Sequence, residues 1–177
     1  MQLTDREKYE LLYAISQQVR DTLDLDEILN LLLDAVKTVL DYDAAGIFVL
    51  KRDLQDVRGE TPRQMIAGIA QRGFDPRSPK QDDMLVAGKG VIGHVIFSGN
   101  SLVAPDVSLD PYYVEGRART HSEIAVPIIL NERTIGALNL ESDRLAAFDE
   151  SDLEVLQFFA DAASISIEKA MLHRQLL

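Results

Sequence analysis

Apolar positions along the chain follow two periodicities, and their order predicts helices at both ends with strands between them. Leucine, isoleucine and valine recur every three or four residues in the first two segments and in the last one, which indicates amphipathic helices. The helices are predicted to begin at Thr4, Asp24 and Asp149. In each case an acid three residues later completes a capping pattern.

Short apolar runs between the helices predict the strands of a sheet. The last two runs are separated by Asn131, Glu132 and Arg133, which predicts a hairpin. Both faces of this hairpin are apolar, so we expect the sheet to be covered on both sides. The order of elements predicts an α+β fold, a mostly antiparallel sheet flanked by helices. The predicted strands are 44–50, 65–70, 101–104, 123–130 and 134–142.

Three glycines, Gly88, Gly90 and Gly93, spell the G-x-G-x-x-G pattern of dinucleotide-binding turns. The context argues against that function, because only a short strand-like run precedes them and Gly99 ends the next helix after about two turns. We interpret Gly88 and Gly90 as residues of a tight turn, and Gly93 as a residue that lets a short helix lie close to the sheet.

Composition narrows the classes of function. The 177 residues carry a net charge of −11, which argues against binding to nucleic acid or to an anionic membrane surface. The chain contains no cysteine, which excludes disulfides, cysteine-bound metals and catalysis by a thiol of this chain. No apolar run approaches the roughly 18 residues that span a bilayer, and the first residues do not resemble a signal peptide. We expect a cytoplasmic location.

Two blocks of the sequence resemble the GAF domain family. They are GKGVIGHVIFSGNSLVAPDVSLDPYY (88–113) and SEIAVPIILNERTIGALNLESDRLAAFDESDLEVLQFFADAASISIEKA (122–170). The resemblance extends from about Asp24 to Ala170. It implies a five- or six-stranded sheet with the terminal helices on one face and a ligand-type pocket on the other. It also implies a sensory or dimerisation module of a larger signalling protein.

The resemblance also limits the ligand. Family members that bind cyclic nucleotides carry a later Asp-Glu pair, and here Leu153 follows Asp152 in place of the second acid. Members that attach bilins or reduce methionine sulfoxide need cysteine, which is absent. The sequence identifies no cofactor.

The chain is expected to divide into three segments: a signalling or dimerisation helix over 1–23, a GAF-like domain over 24–170 and the end of a connecting helix over 171–177. The last helix is apolar on more than one face. One face can rest on the sheet, and we expect the other to form a homodimer together with the N-terminal helix. One apolar row contains Leu156, Phe159, Ala163 and Ile167, and the other contains Phe158, Ala162, Ile165 and Leu172.

The connection after residue 105 carries the candidate binding residues. Aromatic rings and hydrogen-bond donors are concentrated there, and two guanidinium groups could clamp a carboxylate or phosphate. We therefore expect an anionic or zwitterionic ligand, and the alternative is a solvated loop with packed tyrosines. The candidates are Asp106, Tyr112, Tyr113, Arg117, Arg119, His121 and Ser122.

The sequence does not indicate a metal site. His94 and His121 lack the spacing of paired ligands. A calcium loop starting at Asp106 would need a glycine where Pro111 stands and a closing acid where Arg117 stands.

No catalytic motif stands out. The chain has no G-x-S-x-G elbow, no H-E-x-x-H and no P-loop, and no pair of carboxylates is marked as buried. We therefore expect a non-catalytic sensory module that binds a small molecule and relays a signal through its terminal helices to an effector domain outside this chain. The alternative is a dimerisation scaffold without a ligand.

Overall fold

The structure, a computed structural model, describes residues 24–50, 66–74 and 88–175, together with residues 4, 6, 7, 9–11, 13 and 14. The predicted elements in these ranges are confirmed, with small shifts at their ends. The helices are α1 (Leu25–Lys37), α2 (Gly90–Ser98) and α3 (Asp152–Gln175). The strands are β1 (Ala44–Leu50), β2 (Ile66–Arg72), β3 (Leu102–Ala104), β4 (Ser122–Leu130) and β5 (Arg133–Ser142).

The five strands form one sheet in the order β2-β1-β5-β4-β3, and every neighbouring pair is antiparallel. This confirms the predicted α+β class. Helices α1 and α3 pack on one face, and α2 packs on the other. Both faces are covered, as the apolar hairpin predicted.

The larger core lies between the sheet and helices α1 and α3. Residues at alternate positions of β4 and β5 point toward these helices, because successive side chains of a strand point to opposite faces. The apolar row of α3 that begins at Leu156 is buried against them and against α1. The fully buried side chains include Leu29, Leu33, Ile124, Ile128, Leu138, Leu140, Leu156 and Phe159.

The smaller core lies under α2, where Val91 and Val95 pack against the opposite face of the sheet. Gly88 and Gly90 both have positive φ angles, 86° and 72°, and Gly99 ends the helix in the left-handed conformation. These angles confirm the interpretation of the glycines as turn and cap residues.

Helix caps follow the predicted patterns. The backbone N–H of Asp26 donates to the Asp24 carboxylate at 2.9 Å, and that of Asp149 donates to the Asp152 carboxylate at 3.0 Å. Thr4 and Glu7 form the reciprocal capping pair. Residues 15–23 and 51–65 lie outside the described residues, and they include part of the helix predicted to begin at Thr4 and the first position of the predicted strand 65–70. Of the helices that are described, none has both the length and the hydropathy for a bilayer span.

The β4–β5 hairpin differs from the prediction in one detail that matters for the site. Its turn contains two residues, Asn131 and Glu132, with φ angles of 50° and 62°, and Arg133 already pairs with Leu130. Turns of this length match the twist of the strands. A bulge after Ile128 then shifts the register of the remaining pairs by one residue.

Candidate functional site

Two carboxylates face each other in the middle layer of the protein. Glu123 on β4 pairs directly with Glu141 on β5, and Asn139 lies two residues before Glu141 on the same face of β5. The exposed fractions are 3% for Glu123, 5% for Glu141 and 0% for Asn139. This face is the one that also carries Phe48 and Ala125, under α2. The three side chains form what we call the acidic cluster.

Asn139 holds the acidic cluster together. Its Nδ2 donates to Glu123 Oε1 at 3.0 Å and lies 3.4 Å from Glu141 Oε1. The Asn139 Oδ1 atom is buried and has no hydrogen-bond partner. Gly46 is the register partner of Asn139 on β1, and an added Cβ there would lie 3.2 Å from this oxygen. The cluster therefore presents a buried acceptor without a donor, which is unusual in a folded protein.

The environment disfavours two negative charges in the acidic cluster. Burial, and after it the charge of Glu141, raises the pKa of Glu123 well above its usual value. Burial also raises the pKa of Glu141, although the Thr120 hydroxyl and the Arg117 charge oppose that effect. Within the part of the chain that the structure describes, neither carboxylate has an ion-pair partner. The pair must therefore retain a proton or receive a cation from elsewhere.

The connection between the 3-10 turn (Val107–Leu109) and β4 covers the acidic cluster. Thr120 Oγ1 donates a hydrogen bond to Glu141 Oε2. Tyr113 packs against the smaller core, and burial raises the pKa of its hydroxyl to about 12, with the charges of Glu141 and Glu123 adding to the effect. Both residues lie next to the carboxylates, so this segment forms part of the site.

The two predicted arginines are both paired with Asp143. Arg117 Nη1 contacts Asp143 Oδ1, with side chains that are 17% and 23% exposed, and Arg119 Nη2 lies 2.9 Å from Asp143 Oδ2. The Arg119 side chain is 80% exposed. The two guanidiniums therefore share one carboxylate, and the buried charge of the site is acidic. A cationic group suits the carboxylates of the acidic cluster, and of the anionic or zwitterionic ligands expected from the sequence, only a zwitterion carries one.

The structure brings Tyr113 and Arg117 from the predicted set close to the acidic cluster. The ring of Tyr112 points outward and stacks on His94, with centroids 3.7 Å apart and an angle of 17° between the planes. His121 is exposed, and its backbone carbonyl accepts from Val107.

Asp106 and Ser122 lie elsewhere. Asp106 is partly exposed. It caps the 3-10 turn by accepting hydrogen bonds from the backbone N–H and the hydroxyl of Ser108. Ser122 points to the other face of the sheet, because it is one residue away from Glu123 in the strand. Its hydroxyl donates to the Arg144 carbonyl at 2.7 Å.

Sequence reasoning missed the residues at the centre of the site: Glu123, Asn139, Glu141 and Thr120. A usable pattern was present, since three polar residues interrupt strands that were predicted to be covered on both faces. Burying such groups is costly unless they are paired or functional. No group of three metal-binding side chains occurs among the described residues.

Comparisons with known proteins found a matching family model and relatives in sequence. The family model described as GAF domain matches residues 22–168. The free methionine-R-sulfoxide reductase of Saccharomyces cerevisiae is 35% identical over 78 residues, 44% of this chain and 43% of that protein. The chain thus spans less than half of that relative's length.

Solved structures share the whole fold. A free methionine-R-sulfoxide reductase from Neisseria meningitidis, in complex with its substrate, has a TM-score of 0.73 and 25% identity, covering 100% of this chain and 97% of that one. The GAF domain of a phosphoenolpyruvate-protein phosphotransferase from Coxiella burnetii has a TM-score of 0.71 and 23% identity, with coverage of 95% and 96%.

These relatives correct the expectation of a non-catalytic sensory module. Proteins named as reductases match this chain both in sequence and in fold, which points to a catalytic function. The expectation rested on missing motifs and on the absence of cysteine. Neither criterion can detect a pair of carboxylates that becomes buried only when two strands pair.

Proposed function

Because this chain belongs to the GAF domain family, we propose that it is an enzyme that binds the ammonium group of a small free amino acid at the acidic cluster. The observation that carries the proposal is the buried pair of Glu123 and Glu141, which lacks a cationic partner among the described residues. The names of the relatives support a free amino acid as the substrate class.

A primary ammonium group matches the acceptors of the acidic cluster. It carries three N–H donors and one positive charge. Oxygen atoms of Glu123 and Glu141 would accept hydrogen bonds from two of the N–H groups, and the unpartnered Oδ1 of Asn139 is available to the third. The positive charge would also remove the need for the two carboxylates to share a proton.

Methionine-R-sulfoxide is the first substrate to test. Reduction of a sulfoxide consumes two thiols, which become a disulfide, while the oxygen leaves as water. This chain contains no cysteine, so both thiols would come from a separate dithiol. The chain would bind the ammonium group, hold the side chain under α2 and keep bulk water away from the sulfoxide.

A binding experiment tests the proposal. Methionine-R-sulfoxide at 100 times its dissociation constant should stabilise the fold by about 2.7 kcal/mol in a thermal melt. The same molecule without its amino group should give no shift. With dithiothreitol as the dithiol, methionine should form faster in the presence of the protein than in its absence.

Matched variants separate the site from unrelated effects. Glu123→Gln and Glu141→Gln keep the shape of the side chain and remove its charge, so each should abolish the shift and the turnover. Glu150→Gln alters an exposed carboxylate and should change neither. The proposal is wrong if the wild type shows no shift, or if Glu123→Gln binds as the wild type does.

Two expectations from the sequence remain predictions. These are the cytoplasmic location and the homodimer formed through the N- and C-terminal helices. The second is supported by α3, where Ile165 and Leu172 lie seven residues apart and are 68% and 55% exposed. A spacing of seven residues is typical of helices that pair along their length.

A further inference from the structure

The acidic cluster is closed to solvent in this structure. Glu123, Asn139 and Glu141 are all buried, so a ligand reaches them only if a covering segment moves. Among the described residues, segment 110–121 covers the carboxylates. This segment forms neither helix nor strand. A segment with few backbone hydrogen bonds opens more readily than the sheet beneath it.

Specific side-chain contacts hold this segment down. Arg117 forms a largely buried ion pair with Asp143, just after the end of β5. Thr120 donates to Glu141, a member of the acidic cluster. Asp143 is itself fixed, because its backbone N–H donates to the carboxylate of Asp43 at 2.7 Å. The ion pair therefore joins the covering segment to a rigid point on the sheet.

We infer that segment 110–121 is a lid over the acidic cluster and that the Arg117–Asp143 ion pair is its latch. The identity of the ligand rests on the proposed function, but the lid and its latch do not. Arg117 is better suited to this role than Arg119, because the Arg119 side chain extends into solvent, where an ion pair contributes little.

The contact between Thr120 and Glu141 links the ligand to the lid. In the closed state the Thr120 hydroxyl is a donor to Glu141. An ammonium group that binds Glu141 offers a charged donor for the same carboxylate, and charge-assisted hydrogen bonds are the stronger ones. Binding would then weaken one attachment of the lid and leave the latch as the main restraint.

Hydrogen–deuterium exchange without any ligand tests the latch by itself. The reporter is the His121 amide, which donates to the Ser142 carbonyl at 2.8 Å and so joins the covering segment to the end of β5. In Asp143→Asn this amide should exchange roughly fivefold faster, the change expected when about 1 kcal/mol of ion-pair stabilisation is lost. Arg117→Gln should behave in the same way. Arg119→Gln is the matched control and should exchange like the wild type, as should amides of β1 in every variant.

Stopped-flow binding of methionine-R-sulfoxide then tests gating. The association rate should rise roughly fivefold in Asp143→Asn and stay unchanged in Arg119→Gln. Unchanged exchange at His121 in both latch variants would overturn the inference, and so would an unchanged association rate in a protein that binds. Faster exchange without any binding by the wild type would leave the latch standing and refute the proposed function.

Discussion

Glu123 and Glu141 are direct cross-strand partners in a covered sheet, at the end of β4 and β5 that lies away from their turn. Two like charges in this relation destabilise an antiparallel pair. The only donors they receive from the described residues are neutral, the Asn139 amide and the Thr120 hydroxyl. A protein that keeps so unfavourable a pair has a use for it, since strongly perturbed carboxylates concentrate at functional sites.

The raised pKa of Glu123 predicts how stability depends on pH. The folded protein holds a proton that the unfolded chain releases, so the stabilisation is complete below the unfolded pKa and is lost as pH rises through the folded pKa. Urea denaturation between pH 5 and pH 8, at roughly one-unit steps, should show stability falling in the wild type. Glu123→Gln should flatten this dependence. An equal slope in both proteins would contradict the prediction.

Glu123→Gln should also stabilise the ligand-free protein at neutral pH. Keeping a buried carboxyl protonated at neutral pH costs free energy, and the change removes this cost while it keeps the acceptor oxygen. We expect a gain of roughly 1–3 kcal/mol, the typical cost of a poorly compensated buried polar group. The midpoint of urea denaturation measures it, and Glu150→Gln serves as the control. A loss of stability would show that the carboxylate is compensated in the folded state.

Asn139→Leu should have the opposite effect. Leucine is similar in size but cannot donate to either carboxylate, so both would lose a hydrogen bond that lowers their pKa. We expect a loss of roughly 1–3 kcal/mol and weaker binding of methionine-R-sulfoxide. Chemical denaturation and calorimetry measure the two effects. Undiminished binding would show that the Asn139 oxygen is not a ligand acceptor.

Gly136→Ala should destabilise the sheet. An added Cβ would lie 2.1 Å from the backbone oxygen of Phe48 on the neighbouring strand, and backbone cannot move aside cheaply. The expected cost is roughly 1–3 kcal/mol. Gly116→Ala is the matched control, because a Cβ there meets nothing within 4 Å. Thermal melts of the two variants should therefore differ, and similar melts would contradict the assigned packing.

The homodimer is tested on the exposed side of α3. In the apolar row that begins at Leu156, Phe159 and Ile167 are buried in the core of one chain, so they are not available to a dimer interface. The double variant Ile165→Glu, Leu172→Glu should convert the dimer to a folded monomer, because it would bury charge at the dimer interface. Sedimentation at about 10 μM measures the mass. Leu145→Glu, an exposed leucine outside α3, is the control, and a monomeric wild type would refute the dimer.

The sequence by itself determined the helices and strands that the structure describes, and their order. Helical spacing, the capping acids after Asp24 and Asp149, and the turn at Asn131 are local features, and local interactions were sufficient to predict them. The apolar character of both faces of the hairpin correctly predicted a sheet covered on both sides. Of the predicted site residues, Tyr113 and Arg117 lie beside the acidic cluster.

Only the tertiary structure decided how the site is assembled. The two-residue turn alone would pair Glu123 with Leu140 and place Glu141 on the opposite face, since a shift of one residue reverses every side chain. The bulge after Ile128 restores the register that makes the two carboxylates partners. Their burial, and the ion pair that occupies Arg117, depend on contacts between residues that are distant in the chain. Local patterns contain no information on such contacts, and for that reason the sequence indicated an anionic or zwitterionic ligand without locating the buried carboxylates, which favour a cationic group.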